Sequence, residues 1–390
     1  KFVQLRAVAA RIDRTVVFDS KTLDSPNYYG GHFEIFDVVS VSPARVGKVK
    51  MYYTRFKQMG KGGLSAGVKI GYSSGLSPPP LNIFDGCSFT DSQDYGLHLG
   101  TKTSPVFVKD SVFANCANGG IYGEVGATAT TIVNNAVIGV FMSPNAPVMT
   151  NELNSQQRVI NFAGIRVEEI PIRMLGNVVA GSNDIGFLHR METCPPTGGI
   201  SNNEAMATIM GLFLLPQKKA SCQTVNLYTI WKAAHIGVFM ADIRPGQTRL
   251  SHMTIADCHL GINPYSSVSK NFRRLYFTDT IIMGSTPASS CDYSEYCKSQ
   301  SAEDPYMAGC NSIFSPIDFR RVGFVVPFNT GNKKTCDVTQ DPRKCRLMSG
   351  AYPTLACHYP FEYHNHFDKG LGWTFFERTT FSHWKADDCG

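Results

Sequence analysis

The densest group of side chains able to do chemistry is the run His358-Tyr359-Pro360-Phe361-Glu362-Tyr363-His364-Asn365-His366-Phe367-Asp368. On a strand, alternate residues share a face, so His364 and His366 would point the same way as Glu362 and Asp368. Imidazole and carboxylate at that spacing form a donor set for a transition metal, with His364, His366 and Asp368 as candidate ligands. The same alternation also describes a polar surface edge whose Phe361, Tyr363 and Phe367 pack inward. Metal sites usually gather ligands from distant parts of a chain, so the edge is the expectation, and no metal or other cofactor is assigned.

Cleavage of a glycan needs paired carboxylates, or Asp-bound metal with a basic partner. The acidic candidates Asp85, Asp91, Asp94 and Asp110 are scattered at turn positions, where Asp caps corners by bonding to nearby backbone. His98, His189, His235, His252 and His259 are equally dispersed, several beside apolar strand residues, and read as structural groups. The doublets Arg273-Arg274 and Arg320-Arg321 could contribute to an anion-binding face, but a solvated edge explains them as well. No catalytic residue is assigned. No Asn-x-Ser/Thr acceptor for N-linked sugar occurs in the chain.

The 12 cysteines fall into contrasting groups. Cys116 and Cys258 occupy equivalent places in Phe113-Ala114-Asn115-Cys116 and Ile255-Ala256-Asp257-Cys258, as small core hydrophobes would. Cys291, Cys297, Cys310, Cys336, Cys345, Cys357 and Cys389 crowd instead among Ser, Asp, Lys and Pro. Polar, irregular sequence has little core of its own, so these seven are expected to form disulfides in an oxidising compartment. No Cys-x-x-Cys pair is present to favour zinc. Seven is odd, so either Cys194 or Cys222 joins them or one thiol stays free.

The elements that position these residues repeat. An apolar residue is followed after a short polar filler by Gly and alternating apolar positions: Phe89 to Gly96-Leu97-His98-Leu99, Phe113 to Gly120-Ile121-Tyr122, Val179 to Gly186-Phe187-Leu188, Ile230 to Gly237-Val238-Phe239, and Ile255 to Gly261-Ile262. Phe89 to Phe113 spans 24 residues, Phe113 to Val137 another 24, and Ile230 to Ile255 spans 25. A fixed period in the range of ~20–50 residues marks a solenoid. Short β-branched and aromatic runs without a helical stripe make it all-β. The expectation is a right-handed parallel β-helix, one coil per repeat, with like residues stacked into ladders. Gly is expected where a corner needs positive φ or close backbone approach. Asn before apolar runs, as at Asn135 and Asn177, is expected to serve turns. A β-sandwich would show turn signals every ~8–12 residues without the longer period.

Along the chain, 1–40 reads as an N-terminal cap or first coils and 41–285 as regular coils. Polar loops interrupt the coils at 143–157 and 193–203. The span 286–346 reads as a Cys-rich, disulfide-stapled insertion and 347–390 as terminal coils. A hydrophobic share of 43% is ample for a core. The net charge of +6 is spread along the chain, without the one-sided basic clustering of a nucleic-acid face. Weak attraction to anionic polysaccharide or a membrane surface is compatible with that charge. No apolar run reaches the ~18–20 residues of a membrane helix, so membrane insertion by this chain is not expected. Both ends fall in mid-pattern and read as cuts through a larger protein.

The segments Val8 to Phe18, Gly30-Gly31-His32-Phe33-Glu34-Ile35-Phe36, Val49 to Gly60, and the repeats Cys87 to Gly100 and Val106 to Tyr122 resemble the extracellular β-helix of the fibrocystin group. That group includes the fibrocystin-like proteins and cell-surface hyaluronidases. The resemblance covers roughly the first 140 residues well and the rest loosely. It departs at one place: where enzyme-like members carry Arg-x-Pro-x-His-x-His after the Gly60 phrase, this chain has Gly63-Leu64-Ser65-Ala66-Gly67-Val68-Lys69-Ile70-Gly71. The resemblance thus implies the fold while arguing against inherited catalysis, since only Lys69 remains to move a proton.

The expected function is a non-enzymatic extracellular or cell-surface module for structure, adhesion or assembly. Its expected partners are other cell-surface or filament proteins, with acidic glycans as a second class. The alternative is a carbohydrate-active hydrolase or lyase on acidic polysaccharide. Convergence of three or more of Asp, Glu, His and Lys in one groove would favour that alternative.

Overall fold

The computed structural model describes residues 17–19, 30–37, 47–61, 65–71, 81–100, 105–124, 130–141, 163–168, 173–194, 199–215, 222–234, 236–240, 246–258, 260–264, 273–284, 322–324 and 373–383. These residues contain strands and no helix. The strands form a parallel β-helix: each pairs with the equivalent strand one coil away, so that three faces build up side by side. The first face is an 11-stranded sheet and the second a 10-stranded sheet. The third is divided into sheets of six and five strands.

The register explains the repeat. On the first face Phe18, Phe56, Phe89, Phe113, Val137, Val179, Ala205, Ile230, Ile255, Ile282 and Phe381 stack in one inward column. Phe89 and Phe113 lie on adjacent parallel strands with their rings stacked 4.6 Å apart and nearly parallel. A strand of three residues cannot bury such a ring alone; its neighbours above and below do so. The second face adds its own inward column, including Val68, Leu97, Ile121, Ile165, Phe187 and Leu212.

Two column types shape the corners. The glycines that open the second-face strands are there for close approach: a Cβ on Gly164 would lie 2.3 Å from Val179 Cγ1, and one on Gly211 2.3 Å from Ile230 Cγ2. Positive φ recurs at the third-to-first-face corner, at Asp110, Asn134, Asn202 and Asp279 with φ of 49°, 53°, 54° and 50° and at Gly86 and Gly176, and again after the first-face strands, as at Asp91 and Asn115. Asn and Asp tolerate that region because their side chains bond locally.

Immediately after the third-to-first-face corner runs a buried polar ladder. Asn135 Nδ2 donates to Asn177 Oδ1 at 3.0 Å, and Asn177 Nδ2 to Asn203 Oδ1 at 2.9 Å. Their Oδ1 atoms also accept backbone N–H bonds from Ser111, Asn135 and Asn177. Every polar atom so used avoids a desolvation penalty of about 1–3 kcal/mol. Asn135 and Asn177 therefore stitch successive coils rather than serve a single turn. Thr54, Cys87 and Tyr228 extend the column in other coils. Cys87, Cys116 and Cys258 are buried and not disulfide-bonded, with burial pushing Cys116 up to about 12.

Cys194 and Cys222 pair with each other. This bond lies where the third face changes sheets: Glu192–Thr193 runs antiparallel to Cys222–Asn226, which starts the parallel stack of the second half. Cys291, Cys297, Cys310, Cys336, Cys345, Cys357 and Cys389 lie outside the described residues. Within 286–346, Val322–Phe324 adds a strand to the second face beside Leu260–Pro264. Within 347–390, Trp373–Glu377 and Thr380–Ser382 pair with Arg273–Thr278 and Ile281–Met283.

Candidate functional site

The strands of the second face carry one outward residue per coil in a continuous column. It reads Glu34, Lys69, His98, Tyr122, Arg166, Leu188, Phe213, Phe239 and Asn263. Strand spacing of about 4.8 Å holds flat side chains at stacking distance in such a column. The His98 and Tyr122 rings lie 4.7 Å apart, and the Arg166 guanidinium sits over the Tyr122 ring, 4.9 Å from its centroid. Tyr95, from the preceding corner, stacks on Tyr122 at 4.9 Å.

Acidic groups close around this stack. His98 Nε2 lies 2.8 Å from Glu124 Oε1. The Tyr122 hydroxyl donates to Glu168 Oε1 at 3.2 Å, and the Arg166 guanidinium pairs with the same carboxylate. Arg190 Nε donates to the Glu168 carbonyl at 2.7 Å. Beneath Tyr95, the buried Asp94 carboxylate accepts from Asn118 Nδ2 at 2.7 Å and from the Tyr95 N–H at 2.9 Å.

Burial dominates the electrostatics. It raises the Asp94 pKa, with the Asn118 and Tyr95 hydrogen bonds opposing it in part. Burial also pushes the Tyr95 phenol up to about 12 and Tyr122 higher still, while the Arg166 charge pulls both down. Both phenols are therefore neutral at physiological pH. Chemically, Arg166 could neutralise an anion and His98 or Tyr122 could move a proton. Each, however, already engages a carboxylate of the protein, which a ligand would have to displace.

The sequence candidates fall elsewhere or in part here. His98 and Asp94 join the cluster. Lys69 shares its column but pairs with Glu34 at 3.5 Å, and the stretch around it completes a coil as strand Val68–Ile70. Asp91 and Asp110 occupy left-handed corners, and Asp85 ends a strand of the third face. Asp94 also lies at a corner, between Ser88–Thr90 and Leu97–Leu99, but is enclosed there, only 6% exposed. His189 points into the core, its Nε2 2.8 Å from the Tyr228 hydroxyl and its Nδ1 2.8 Å from the Arg190 carbonyl; burial lowers its pKa to about 4. His252 lies 3.7 Å from Asp279 at an exposed corner. Arg274 is an exposed strand residue. His235, His259, Arg320, Arg321 and the run containing His364, His366 and Asp368 lie outside the described residues.

Tyr95, Tyr122, Glu124, Arg166 and Glu168 were not singled out from the sequence. A signal for them existed: aligning the repeat on its Gly puts His98, Tyr122 and Arg166 each two residues after Gly96, Gly120 and Gly164. Among the described residues no group of three or more His, Cys, Asp or Glu is arranged to hold a metal ion, and no helix is long and apolar enough to cross a membrane. No family model matches the chain, and no curated protein matches it.

Proposed function

We propose that the chain is a non-catalytic, extracellular β-helix module of a cell-surface protein, which holds a long ladder surface for adhesion or assembly. One observation carries this reading: the ionisable groups nearest to an active-site arrangement, His98, Tyr122 and Arg166, are spent on internal carboxylates. Catalytic groups have to meet substrate, and pairing of this kind favours rigidity over proton transfer. The Cys194–Cys222 disulfide supports an oxidising setting. The chain's resemblance to the fibrocystin group, with the Arg and His motif replaced, supports the same reading.

A second reading has its own support. Asp94, His98, Glu124 and Glu168 gather near Arg166, one part of the arrangement expected of an enzyme on acidic polysaccharide. There Arg166 would neutralise a carboxylate and His98 or Tyr122 would exchange the proton.

The two readings part on product formation from hyaluronan and other acidic polysaccharides, with and without divalent metal. No product is expected. Turnover that disappears in Tyr122→Phe or His98→Ala would replace the first reading with the second. Turnover that disappears instead on changing His364 or His366 would move the site to the C-terminal run.

A further inference from the structure

Arg274, of the doublet Arg273-Arg274, belongs to the five-stranded sheet of the third face, in which Cys222–Asn226, Gly246–Ser251, Arg273–Thr278 and Trp373–Glu377 run parallel. Thr248, Leu250, Leu275 and Phe277 face the interior and are buried. Alternation along a strand therefore turns Gln247, Arg249, Arg274 and Tyr276 outward. Arg249 and Arg274 are exposed.

Register brings the two arginines together. Gln247 lies opposite Arg274 and Arg249 opposite Tyr276, so Arg249 and Arg274 sit on a diagonal. A strand spacing of ~4.8 Å and two residues of ~3.3 Å rise put their Cα atoms about 8 Å apart. The Arg249 guanidinium lies over the Tyr276 ring, 5.3 Å from its centroid, and Phe375 stacks on that ring at 4.8 Å. Arg249 Nη2 also donates to Gln247 Oε1 at 3.1 Å. A ring and an amide thus hold the planar fork in place before a ligand arrives, which lowers the entropy cost of binding.

Counter-charge is present elsewhere on the surface. Lys69 pairs with Glu34, Lys109 with Asp110, and Arg378 with Asp279 and Glu377. Neither Arg249 nor Arg274 meets a carboxylate among the described residues. Glu377, on the adjoining strand, is engaged by Arg378. The strip offers donors: two guanidiniums, the Tyr276 phenol and, because the Gln247 oxygen accepts from Arg249, the Gln247 amide N–H group. Like charges this close, without an internal anion, suit a ligand that carries several anionic groups on a short repeat.

We propose that this strip of the third face binds a sulfated polysaccharide, with Arg249 and Arg274 each pairing with a sulfate and the Tyr276 hydroxyl donating to one of them. Sulfate is a permanent anion whose oxygens only accept, and a guanidinium fork meets such a group with two parallel N–H bonds. A sulfated glycan carries several anionic groups per disaccharide and so reaches both arginines with neighbouring groups; hyaluronan carries a single carboxylate per disaccharide. The site gives the extracellular module a partner and rests on that reading, yet failure to bind would remove only the partner, and glycan turnover only the module.

The test is surface plasmon resonance of the full chain over immobilised heparin, with soluble heparin, hyaluronan, desulfated heparin and single-stranded DNA as competitors. Binding is expected to weaken as salt rises, and soluble heparin alone is expected to compete well. Arg249→Gln and Arg274→Gln are each expected to weaken binding about tenfold, the effect of one charge-assisted hydrogen bond. Arg274 makes no hydrogen bond or ion pair among the described residues, so its variant carries the test if thermal melts show Arg249→Gln to be misfolded. Arg55→Gln removes an exposed charge from the first face and is expected to bind as wild type does. No binding to heparin, equal competition by hyaluronan, desulfated heparin or DNA, or Arg249 and Arg274 variants that match Arg55→Gln would each overturn the proposal.

Discussion

The outward column of the second face changes character half-way along. From Lys69 to Arg166 it is polar and partly buried, with His98 and Arg166 side chains each 16% accessible. From Leu188 to Phe239 the same position in the same register is apolar and covered: Leu188 is 2%, Phe213 6% and Phe239 3% exposed. These residues join Ile185, Met210, Ile236 and Leu260 in a hydrophobic cluster separate from the interior. Backbone geometry is shared, so the difference lies in the side chains. A solenoid can turn an outer face into chemistry or into a second core without changing its coils. The switch falls at strand Ile185–Arg190, which also carries His189 inward among apolar residues.

The strongest way to break the comparison is to empty the apolar half. Phe213→Ala should cost about 3–5 kcal/mol, the usual range for a buried Phe. Urea unfolding would measure it, and a cost near that of an exposed residue would mean that Phe213 is not part of a core.

The two halves should also respond oppositely to acid. His189 at the junction has a folded pKa of about 4, below its ordinary 6.5. The unfolded state thus binds the proton first as pH falls. Stability from this group is fully present above pH 6.5 and is lost down to about pH 4. That loss approaches roughly 3 kcal/mol, given about 1.4 kcal/mol per pKa unit. In His189→Gln that part of the acid sensitivity should disappear. In the polar half Asp94 behaves in the reverse sense, because its folded pKa is raised. Its folded state binds the proton first, so stability from this group falls as pH rises through the folded value. Asp94→Asn should therefore be more stable than wild type at neutral pH, with the difference closing in acid. An unchanged or lower melting temperature at neutral pH would show that the charged form is not penalised.

The smallest effect sharpens the picture of the polar stack. A double-mutant cycle on Tyr122→Leu and Arg166→Met should return a coupling of about 0.5–2 kcal/mol, the range for a partly desolvated cation over a ring. Zero coupling would mean that the stack is packing alone.

The solenoid was legible because its period is local. The regular coils, from Phe89 to Val137 and from Ala205 to Ile255, are 24 or 25 residues, and their Gly, Asn and Phe recur at the spacing that stacking imposes. Stacked Phe89 and Phe113 and the buried thiols at Cys116 and Cys258 follow from that repetition alone. The assignment of positive φ was only partly legible. The sequence marks Gly as permissive, but the contacts of Gly164 and Gly211 with Val179 and Ile230 come from the facing column. Asp94 looked like any corner Asp, since nothing local says that Tyr95 and Asn118 will enclose it.

What the sequence determined by itself is the coil: its length, its inward columns and its all-β class, because these arise from neighbours one repeat apart. The tertiary structure alone decided which residues meet across coils of unequal length. Tyr122 and Arg166 are separated by 44 positions yet are adjacent in the ladder, because residues 142–162 intervene without shifting the strand register. His189 and Tyr228 come from different faces and meet only because both point into one narrow core. Cys194 and Cys222 pair across 28 residues at the place where the third face changes sheets. Repetition encodes the rungs of this molecule, whereas its singular contacts depend on where the irregular segments bring the chain back into register.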